Sequence, residues 1–237
     1  MTTVSAHAAS LGVTRLCHLT PFRNLLHIAS GAGVRSVADL NADERSAFTQ
    51  QDLERFDNHP DHISCSVQYP NVWYLRQKLR SLTTDQLFFP DWVCLFITPD
   101  NLDRPGVLSC HRNAAAAGGA LLKPGLDAFK AMYDDPVNGS RGPIGRGRKP
   151  ASCPTDDQAE VMIPKFIPLA HCSHIAVRSE EQALRIYGAL DLVGAPVAQL
   201  SWTIAADLFE TASSGTLRAG GFPTERRWSI NDTSAHA

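Results

Sequence analysis

Two short segments of the chain contain residue types that can bind or transform a small polar molecule. His18-Leu19-Thr20 ends a predicted strand, and Asn24 follows one helical turn later. The N-terminus of a helix offers unpaired backbone N–H groups and the positive end of the helix dipole. His18 and Thr20 therefore either hold a ribose, a phosphate or an amide, or form a structural histidine beside an N-cap threonine.

A single carboxylate, that of Glu160, begins a predicted strand directly after a Pro- and Gly-rich loop over residues 134–157. On a strand, Gln158, Glu160 and Met162 share one face. This position suits a carboxylate in a cleft, and it equally suits a carboxylate that faces solvent. Arg55, shortly before another predicted strand, has the same two interpretations, a site residue or a surface charge.

A basic cluster lies within the same loop. Residues 141–149 carry four positive charges, three glycines and no acidic residue; the charges belong to Arg141, Arg146, Arg148 and Lys149. Glycine and proline prevent a helix here, so the charges lie on an adaptable loop. The cluster indicates either contact with a phosphate backbone or a solvated loop.

Other common chemistries have little support in this sequence. Cys110 and His111 are adjacent, and adjacent residues on an extended chain point to opposite faces, so they do not form a nucleophile and its base. The six cysteines include no CxxC pair, and neither a GxGxxG motif, a P-loop nor an HExxH motif is present. We therefore predict no metal site, no disulfide framework and no dinucleotide fold of the Rossmann type.

The hydrophobic patterning predicts an α+β domain with short strands and long intervening loops. Strands are predicted over residues 15–20, 62–67, 92–98, 106–110, 158–163 and 174–177. Helices are predicted after Pro21 with Thr20 as N-cap and Gly31 or Gly33 at the end, over 72–81, and from the N-cap Ser179 to about 190. The domain is predicted to span residues 14–200, with loosely ordered ends at 1–13 and 211–237.

Composition limits the class of protein. The chain has 237 residues, 43% of them hydrophobic, and a formal net charge of −2. This charge excludes a protein that coats nucleic acid through net charge alone, but it leaves a local basic site open. No apolar run approaches the ~20 residues that span a bilayer, and the start of the chain lacks a basic segment followed by an apolar block. We therefore expect a cytoplasmic protein without a membrane partner.

Taken in order, these segments resemble the NAD-consuming ADP-ribosyltransferases, in which an H-x-T strand end binds the nicotinamide ribose. More specifically, they resemble the DarT family of DNA-base ADP-ribosyltransferase toxins. That resemblance covers roughly residues 14–190 and rests on Arg55-Phe56-Asp57, Ile63–Val67, Tyr69-Pro70-Asn71, Asn113-Ala114-Ala115, Thr155–Val161 and Ile167-Pro168. It implies an ADP-ribosyltransferase-like α+β fold, with short-stranded antiparallel or mixed sheets, peripheral helices and a long substrate loop at about 111–160.

The resemblance also implies roles for the candidate residues. Glu160 is implied as the catalytic glutamate, and Arg55 as a residue of the NAD-binding loop that reaches the reacting centre. NAD, as co-substrate, would be bound by His18, Leu19, Thr20, Asn24 and Arg55. The loop that receives the DNA would include Asn113, Arg141, Arg146, Arg148 and Lys149.

The implied activity is transfer of ADP-ribose to guanine or thymine in single-stranded DNA. Thymine-modifying members carry Pro-Phe-Tyr and Ser-Pro-Met where this chain has Ser64–Val67 and Tyr69-Pro70-Asn71, and this departure favours guanine. The resemblance further implies a toxin whose partner is an antitoxin of the ADP-ribosyl glycohydrolase type. Two alternatives remain open: the same chemistry on RNA or protein, and an inactive nucleotide- or nucleic-acid-binding module.

Overall fold

The structure of the protein is a computed structural model, and it describes residues 2–40, 57–80, 91–195 and 200–231. Its helices are α1 Val4–Ser10, α2 Phe22–Ser30, α3 Val72–Arg80, α4 Leu126–Ala131, α5 Glu180–Leu192 and α6 Ala212–Arg218. Its strands are β1 Leu16–Pro21, β2 Gly33–Arg35, β3 His62–Val67, β4 Trp92–Ile97, β5 Leu108–Cys110, β6 Lys123–Pro124, β7 Val137–Gly139, β8 Gly142–Ile144, β9 Glu160–Pro164, β10 Phe166–Pro168, β11 Cys172–Val177, β12 Trp202–Ile204 and β13 Arg226–Trp228. The predicted α+β class is confirmed.

A nine-stranded sheet forms the centre of the described part of the chain, in the order β13-β12-β11-β4-β1-β3-β9-β5-β6. Neighbouring strands run antiparallel, except that β11 and β12 are parallel. Two small ribbons stand apart, β2 with β10 and β7 with β8. The segment predicted as a long substrate loop, 111–160, therefore contains β6, α4 and the β7–β8 hairpin.

The sheet is split between β1 and β3. All six residues of β1 pair with β4, whereas only Leu16 and Cys17 pair with β3, opposite Val67 and Ser66. β3 in turn pairs with β9 over its first five residues. Beyond Cys17 the two strands separate, and the sheet consists of two halves that are joined at one end.

Both faces of the sheet are covered by helices. On one face, Leu25 and Ile28 of α2 and Ile186 of α5 pack against apolar strand residues, and all three are at most 2% exposed. On the other face, Leu75 of α3 packs with Cys94 and Phe96 of β4. Truncating a buried leucine such as Leu25 to alanine typically costs about 2–5 kcal/mol, so this packing fixes the elements around the split.

The start of α2 differs from the prediction. Thr20 is not the N-cap: it belongs to β1, and Pro21 occupies the cap position without a side-chain hydrogen bond. The first helical N–H, that of Phe22, donates instead to the carbonyl of Asp91 at 2.8 Å. The helix does end at Gly31, but the residue in the left-handed conformation is Ala32, with a φ of 60°.

The predicted N-cap of α5 is confirmed, because Ser179 accepts a hydrogen bond from the backbone N–H of Gln182 at 3.2 Å. The ends of the chain, predicted to be loosely ordered, contain regular elements over their described residues. α1 buries Ala8 against the core, and β13 extends the main sheet. Trp228 of β13 is 4% exposed, and its ring centroid lies 6.0 Å from that of Trp202.

Candidate active site

A cavity of about 220 Å³ lies where β1 and β3 separate. Strand β1 contributes one wall, β3 and β9 another, and α2 with the segment after β2 a third. Six of the predicted site residues line it: His18, Leu19, Thr20, Asn24, Asn113 and Glu160. Residues far apart in the sequence are thus brought together at the split.

The carboxylate of Glu160 is held by two hydrogen bonds. The Ser64 hydroxyl donates to its Oε1 at 3.0 Å, and the backbone N–H of Ala114 donates to its Oε2 at 2.6 Å. Glu160 is 9% exposed and lies opposite Ser66 of β3 on one side and Cys110 of β5 on the other. Since a buried charge requires such partners, both oxygens are fixed in the cavity wall.

The segment that supplies the Ala114 amide is itself fixed. The side chain of Asn113 accepts a hydrogen bond from the N–H of Ala115 at 2.9 Å, and the Asn58 side chain donates to the carbonyl of Gly118 at 2.9 Å. Gly119 has a φ of 83°, and a Cβ there would lie 2.1 Å from the carbonyl oxygen of Asp57. This close approach requires glycine and places the Asn113–Ala115 turn over Glu160.

His18 connects the two halves of the sheet. Its Nδ1 lies 2.9 Å from the carbonyl oxygen of Ser64. Because a carbonyl only accepts, Nδ1 carries a proton, and Ser64 therefore contacts His18 through its backbone and Glu160 through its side chain. The structural and the functional interpretation of His18 are compatible, since the ring bridges the split and lines the cavity.

Two buried polar atoms of the cavity wall have no hydrogen-bond partner within the described residues, Ser36 Oγ and Asn71 Nδ2. Their residues are 1% and 2% exposed. An unsatisfied buried polar group costs about 1–3 kcal/mol, so the cavity is suited to a ligand with hydrogen-bonding groups.

Sequence reasoning missed part of this wall. It named neither Ser36 nor Arg35 as a binding residue, and it noted Ser64 and Asn71 only within motifs. The alternation of polar and apolar residues along β3 was the available signal, because it places His62, Ser64 and Ser66 on the same face. Arg55, the other predicted catalytic residue, lies outside the described residues, and its role stays a prediction.

The basic cluster is only partly available to DNA. The Lys149 side chain is 1% exposed, and its ammonium donates to the carbonyls of Pro154 and Thr155 at 3.0 Å each and pairs with Asp157. Arg146 donates to Thr155 Oγ1 at 3.0 Å and to neighbouring carbonyls. Lys149 and Arg146 therefore stabilise their own loop, and this burial disfavours the predicted contact of Lys149 with DNA.

Of the basic cluster, Arg141 and Arg148 remain exposed. They are the two members of the cluster whose predicted contact with DNA is compatible with their position. That contact stays a prediction.

The buried ion pair between Lys149 and Asp157 holds the end of the 141–149 loop against the segment that leads to Glu160. Burial lowers the pKa of Lys149, although the Asp157 carboxylate opposes this effect. Burial alone would raise the pKa of Asp157, but the Lys149 ammonium lowers it overall. Asp157 also accepts hydrogen bonds from Ser214 at 2.5 Å and from Arg218 at 3.0 Å, which attaches α6 to the chain three residues before Glu160.

His59, Asp61 and His62 form the group of possible metal ligands among the described residues. Both ring nitrogens of His62 are already engaged, Nδ1 with Asp61 at 2.8 Å and Nε2 with the carbonyl of Gly106 at 3.0 Å. This ring would have to give up a hydrogen bond to bind a metal. The hydrogen bond to His62 is also the main reason that the pKa of Asp61 is lowered.

All six cysteines are free thiols, and five of them are buried. Burial raises the pKa of Cys110, which disfavours the thiolate needed of a nucleophile. It also raises the pKa of Cys172 to about 12.

A family model described as ssDNA thymidine ADP-ribosyltransferase, DarT, matches residues 17–206. The chain belongs to the DarT family. The resemblance seen in the sequence is thus confirmed, and family membership makes this protein an ADP-ribosyltransferase. No significant match was found among curated proteins.

Two solved structures share the fold. The DarT of Thermus sp. 2.9 in complex with NAD+ has 16% sequence identity and a TM-score of 0.53, with 83% of this chain and 98% of that chain covered. The same protein in complex with ADP-ribosylated ssDNA has 15% identity and a TM-score of 0.56, with 84% and 97% covered. The predicted ADP-ribosyltransferase-like fold is confirmed, while identities this low show the fold alone. Among the described residues, no helix has the length and apolar character needed to cross a bilayer.

Proposed function

We propose that this protein transfers ADP-ribose from NAD+ to a nucleobase of single-stranded DNA. The observation that carries the proposal is the Glu160 carboxylate, which two hydrogen bonds hold in the cavity of a DarT-family chain. The DarT of Thermus sp. 2.9, which has the same fold, has been solved with NAD+ and with ADP-ribosylated ssDNA. These complexes support the same co-substrate and acceptor here.

The polar groups of the cavity suit NAD+. The unpartnered Asn71 Nδ2 is a donor, and the Ser36 hydroxyl both donates and accepts, as a dinucleotide rich in hydroxyl and phosphate oxygens requires. By the family resemblance, His18 and Thr20 hold the nicotinamide end of the molecule, and Leu19 and Asn24 also contribute to NAD binding. Arg55 belongs, by the same resemblance, to the loop that binds NAD and reaches the reacting centre.

The reaction exchanges one bond at the ribose for another. The bond from the ribose carbon to the nicotinamide nitrogen breaks, and its electron pair leaves with nicotinamide. A nucleophilic atom of the base bonds to the same carbon, and the base gives up one proton to solvent water. An oxocarbenium-like centre develops on the ribose, as in glycoside cleavage. Glu160 stabilises this centre and accepts a hydrogen bond from a ribose hydroxyl, and its fixed position means that it needs no reorganisation.

The acceptor base is guanine or thymine. The family description names thymidine, whereas the departure of this chain from the thymine-modifying motifs favours guanine. Ser64, the residue that contacts Glu160, belongs to the departing stretch. A base reacts only when it is unstacked, which favours a single strand over a duplex.

Labelled NAD+ incubated with single-stranded, duplex and RNA oligonucleotides tests the proposal. Four DNA strands, each with one base type in a common neutral context, identify the base. Label on single-stranded DNA with the wild type, and none with Glu160→Gln, is the expected result. Label on RNA or protein would show that the acceptor is RNA or protein and not DNA. NAD+ binding without transfer would indicate an inactive binding module.

We further propose that the protein is the toxin of a toxin–antitoxin pair and acts in the cytoplasm. The support is the family resemblance, which also implies an antitoxin that removes ADP-ribose. Induced expression should arrest growth and mark cellular DNA, and an ADP-ribosyl glycohydrolase should reverse both effects. Growth arrest that survives Glu160→Gln would contradict this role.

A further inference from the structure

The outward face of α3 carries a row of basic and aromatic side chains. Trp73, Arg76, Gln77 and Arg80 are exposed and follow the spacing of one helix face, and Trp73 is 41% exposed. The Arg76 guanidinium lies 5.8 Å from the centroid of the Trp73 ring. Within the described residues, neither Arg76 nor Arg80 forms a salt bridge, and α3 contains no acidic residue. We call Trp73, Arg76 and Arg80 the α3 row.

The α3 row stands on a rigid base. Leu75 is fully buried in the cluster that covers the second face of the sheet. Asn71 directly precedes α3; its side chain accepts a hydrogen bond from the N–H of Tyr74 at 3.0 Å, and its own N–H donates to Ser66 Oγ at 3.1 Å. The Tyr74 ring also packs against Trp92 at 6.4 Å.

The same helix start lines the cavity. Asn71 and Tyr74 are both part of the cavity wall, and Ser66 lies directly opposite Glu160 in the sheet. With a helical rise of 1.5 Å per residue, the α3 row runs for roughly 10 Å away from this rim. A strand whose reacting base enters the cavity can continue along α3.

The chemistry of the α3 row matches single-stranded nucleic acid. Aromatic side chains that stack on bases, beside cations that follow the phosphates, are the usual means of binding single strands without sequence preference. The α3 row carries the two positive charges of Arg76 and Arg80, and Lys78 of the same helix adds a third. On a chain of net charge −2, this is a local basic site. Both kinds of side chain, the aromatic ring that can stack on a base and the cations that can follow the phosphates, occur within two turns of α3.

We propose that the α3 row binds the nucleotides next to the reacting base, with Trp73 stacked on a base and Arg76 and Arg80 on phosphates. This inference rests on the proposed function, because it assumes that DNA is the acceptor. It assigns to α3 a part of the DNA contact that the sequence had assigned to the 141–149 loop.

The test compares Trp73→Ala and the double variant Arg76→Gln/Arg80→Gln with the wild type. Loss of the stacking face should weaken binding of single-stranded oligonucleotides about tenfold in fluorescence anisotropy. The double variant should reduce the slope of log affinity against log salt by about 1.4, or ~0.7 per phosphate contact. In transfer assays the KM for DNA should rise while kcat at saturating DNA and the affinity for NAD+ stay unchanged.

Phe222→Ala and Arg227→Gln provide matched controls. Phe222 is 64% exposed, and Arg227 lies on β13, at the far edge of the sheet from the cavity. These controls should bind DNA as the wild type does. Oligonucleotides that are too short to reach α3 from the cavity should bind to the α3 variants and to the wild type with equal affinity.

Equal DNA affinity and salt slope for the α3 variants and an active wild type would overturn this inference and leave the proposed function intact. An α3 effect no larger than that of the controls would do the same. A wild type that transfers nothing to DNA would overturn the proposed function, and the inference with it.

Discussion

Replacing Glu160 by glutamine should stop transfer and leave the fold in place. The carboxylate accepts one bond from the Ala114 N–H, which only donates, and one from the Ser64 hydroxyl, which also accepts. A glutamine side chain satisfies both if its oxygen faces Ala114 and its amide faces a rotated Ser64 hydroxyl. Two charge-assisted bonds then become neutral ones, at a cost of about 1 kcal/mol.

This cost sets the expected melting behaviour, because 1 kcal/mol lowers the Tm of a chain of this size by about 2–4 °C. The loss of rate is much larger. Removing one preorganised group that faces a developing charge typically costs about 10²–10³ in rate, or ~3–4 kcal/mol of transition-state stabilisation. The change in stability and the change in rate therefore differ enough to be separated.

Single-turnover transfer from labelled NAD+, measured beside thermal melting, checks both numbers. Glu181→Gln is the matched control, because it makes the same change on α5, at a side chain that is 89% exposed. This control should leave transfer and NAD+ binding unchanged. Transfer at the wild-type rate by a folded Glu160→Gln protein would refute the role given to this carboxylate.

Four further predictions follow from the cavity and its supports. Ser36→Ala removes an unpartnered hydroxyl, so it should raise the Tm of the ligand-free protein by a few degrees and weaken NAD+ binding in calorimetry; a lower Tm would contradict this. Ser64→Ala removes one bond to the catalytic carboxylate and should lower kcat about 10- to 100-fold with little change in the KM for NAD+. Arg141→Gln/Arg148→Gln should reduce the salt slope of DNA binding by at most about 1.4, and parallel lines in that plot would exclude these residues from the DNA contact. Lys149→Met removes the buried cation beside Asp157, which then keeps only the more exposed Arg218 as its ion-pair partner; the change should cost at most about 3–5 kcal/mol in urea denaturation, whereas an unchanged midpoint would mean that the Lys149–Asp157 pair contributes nothing.

Local patterns allowed several elements to be predicted from the sequence. The strand over 62–67 matches β3, and the helix predicted from residue 72 matches α3 over its described residues. Ser179 was identified as an N-cap because the capping interaction spans only three residues. Such signals depend on neighbours in the sequence, and they hold wherever tertiary contacts do not override them.

Contacts between distant segments could not be predicted in this way. The Thr20 cap fails because the chain at Asp91 supplies the acceptor for the first helical N–H. Lys149 is buried because α6, more than sixty residues later, closes over its pair with Asp157. The role of Ser64 depends on the register between β3 and β9, which joins residues 96 positions apart.

The split between β1 and β3 also affects the dynamics of the sheet. Two paired residues and the His18–Ser64 contact join the strands at the split, so a ligand that fills the cavity adds contacts between β1 and β3 where the two strands are not paired. Ligand binding should therefore slow amide hydrogen exchange on both sides of the split, over 18–21 and 62–65, more than in β11 or β12. A molecule that binds one wall alone would protect one side, so exchange protection reports whether NAD+ spans the split.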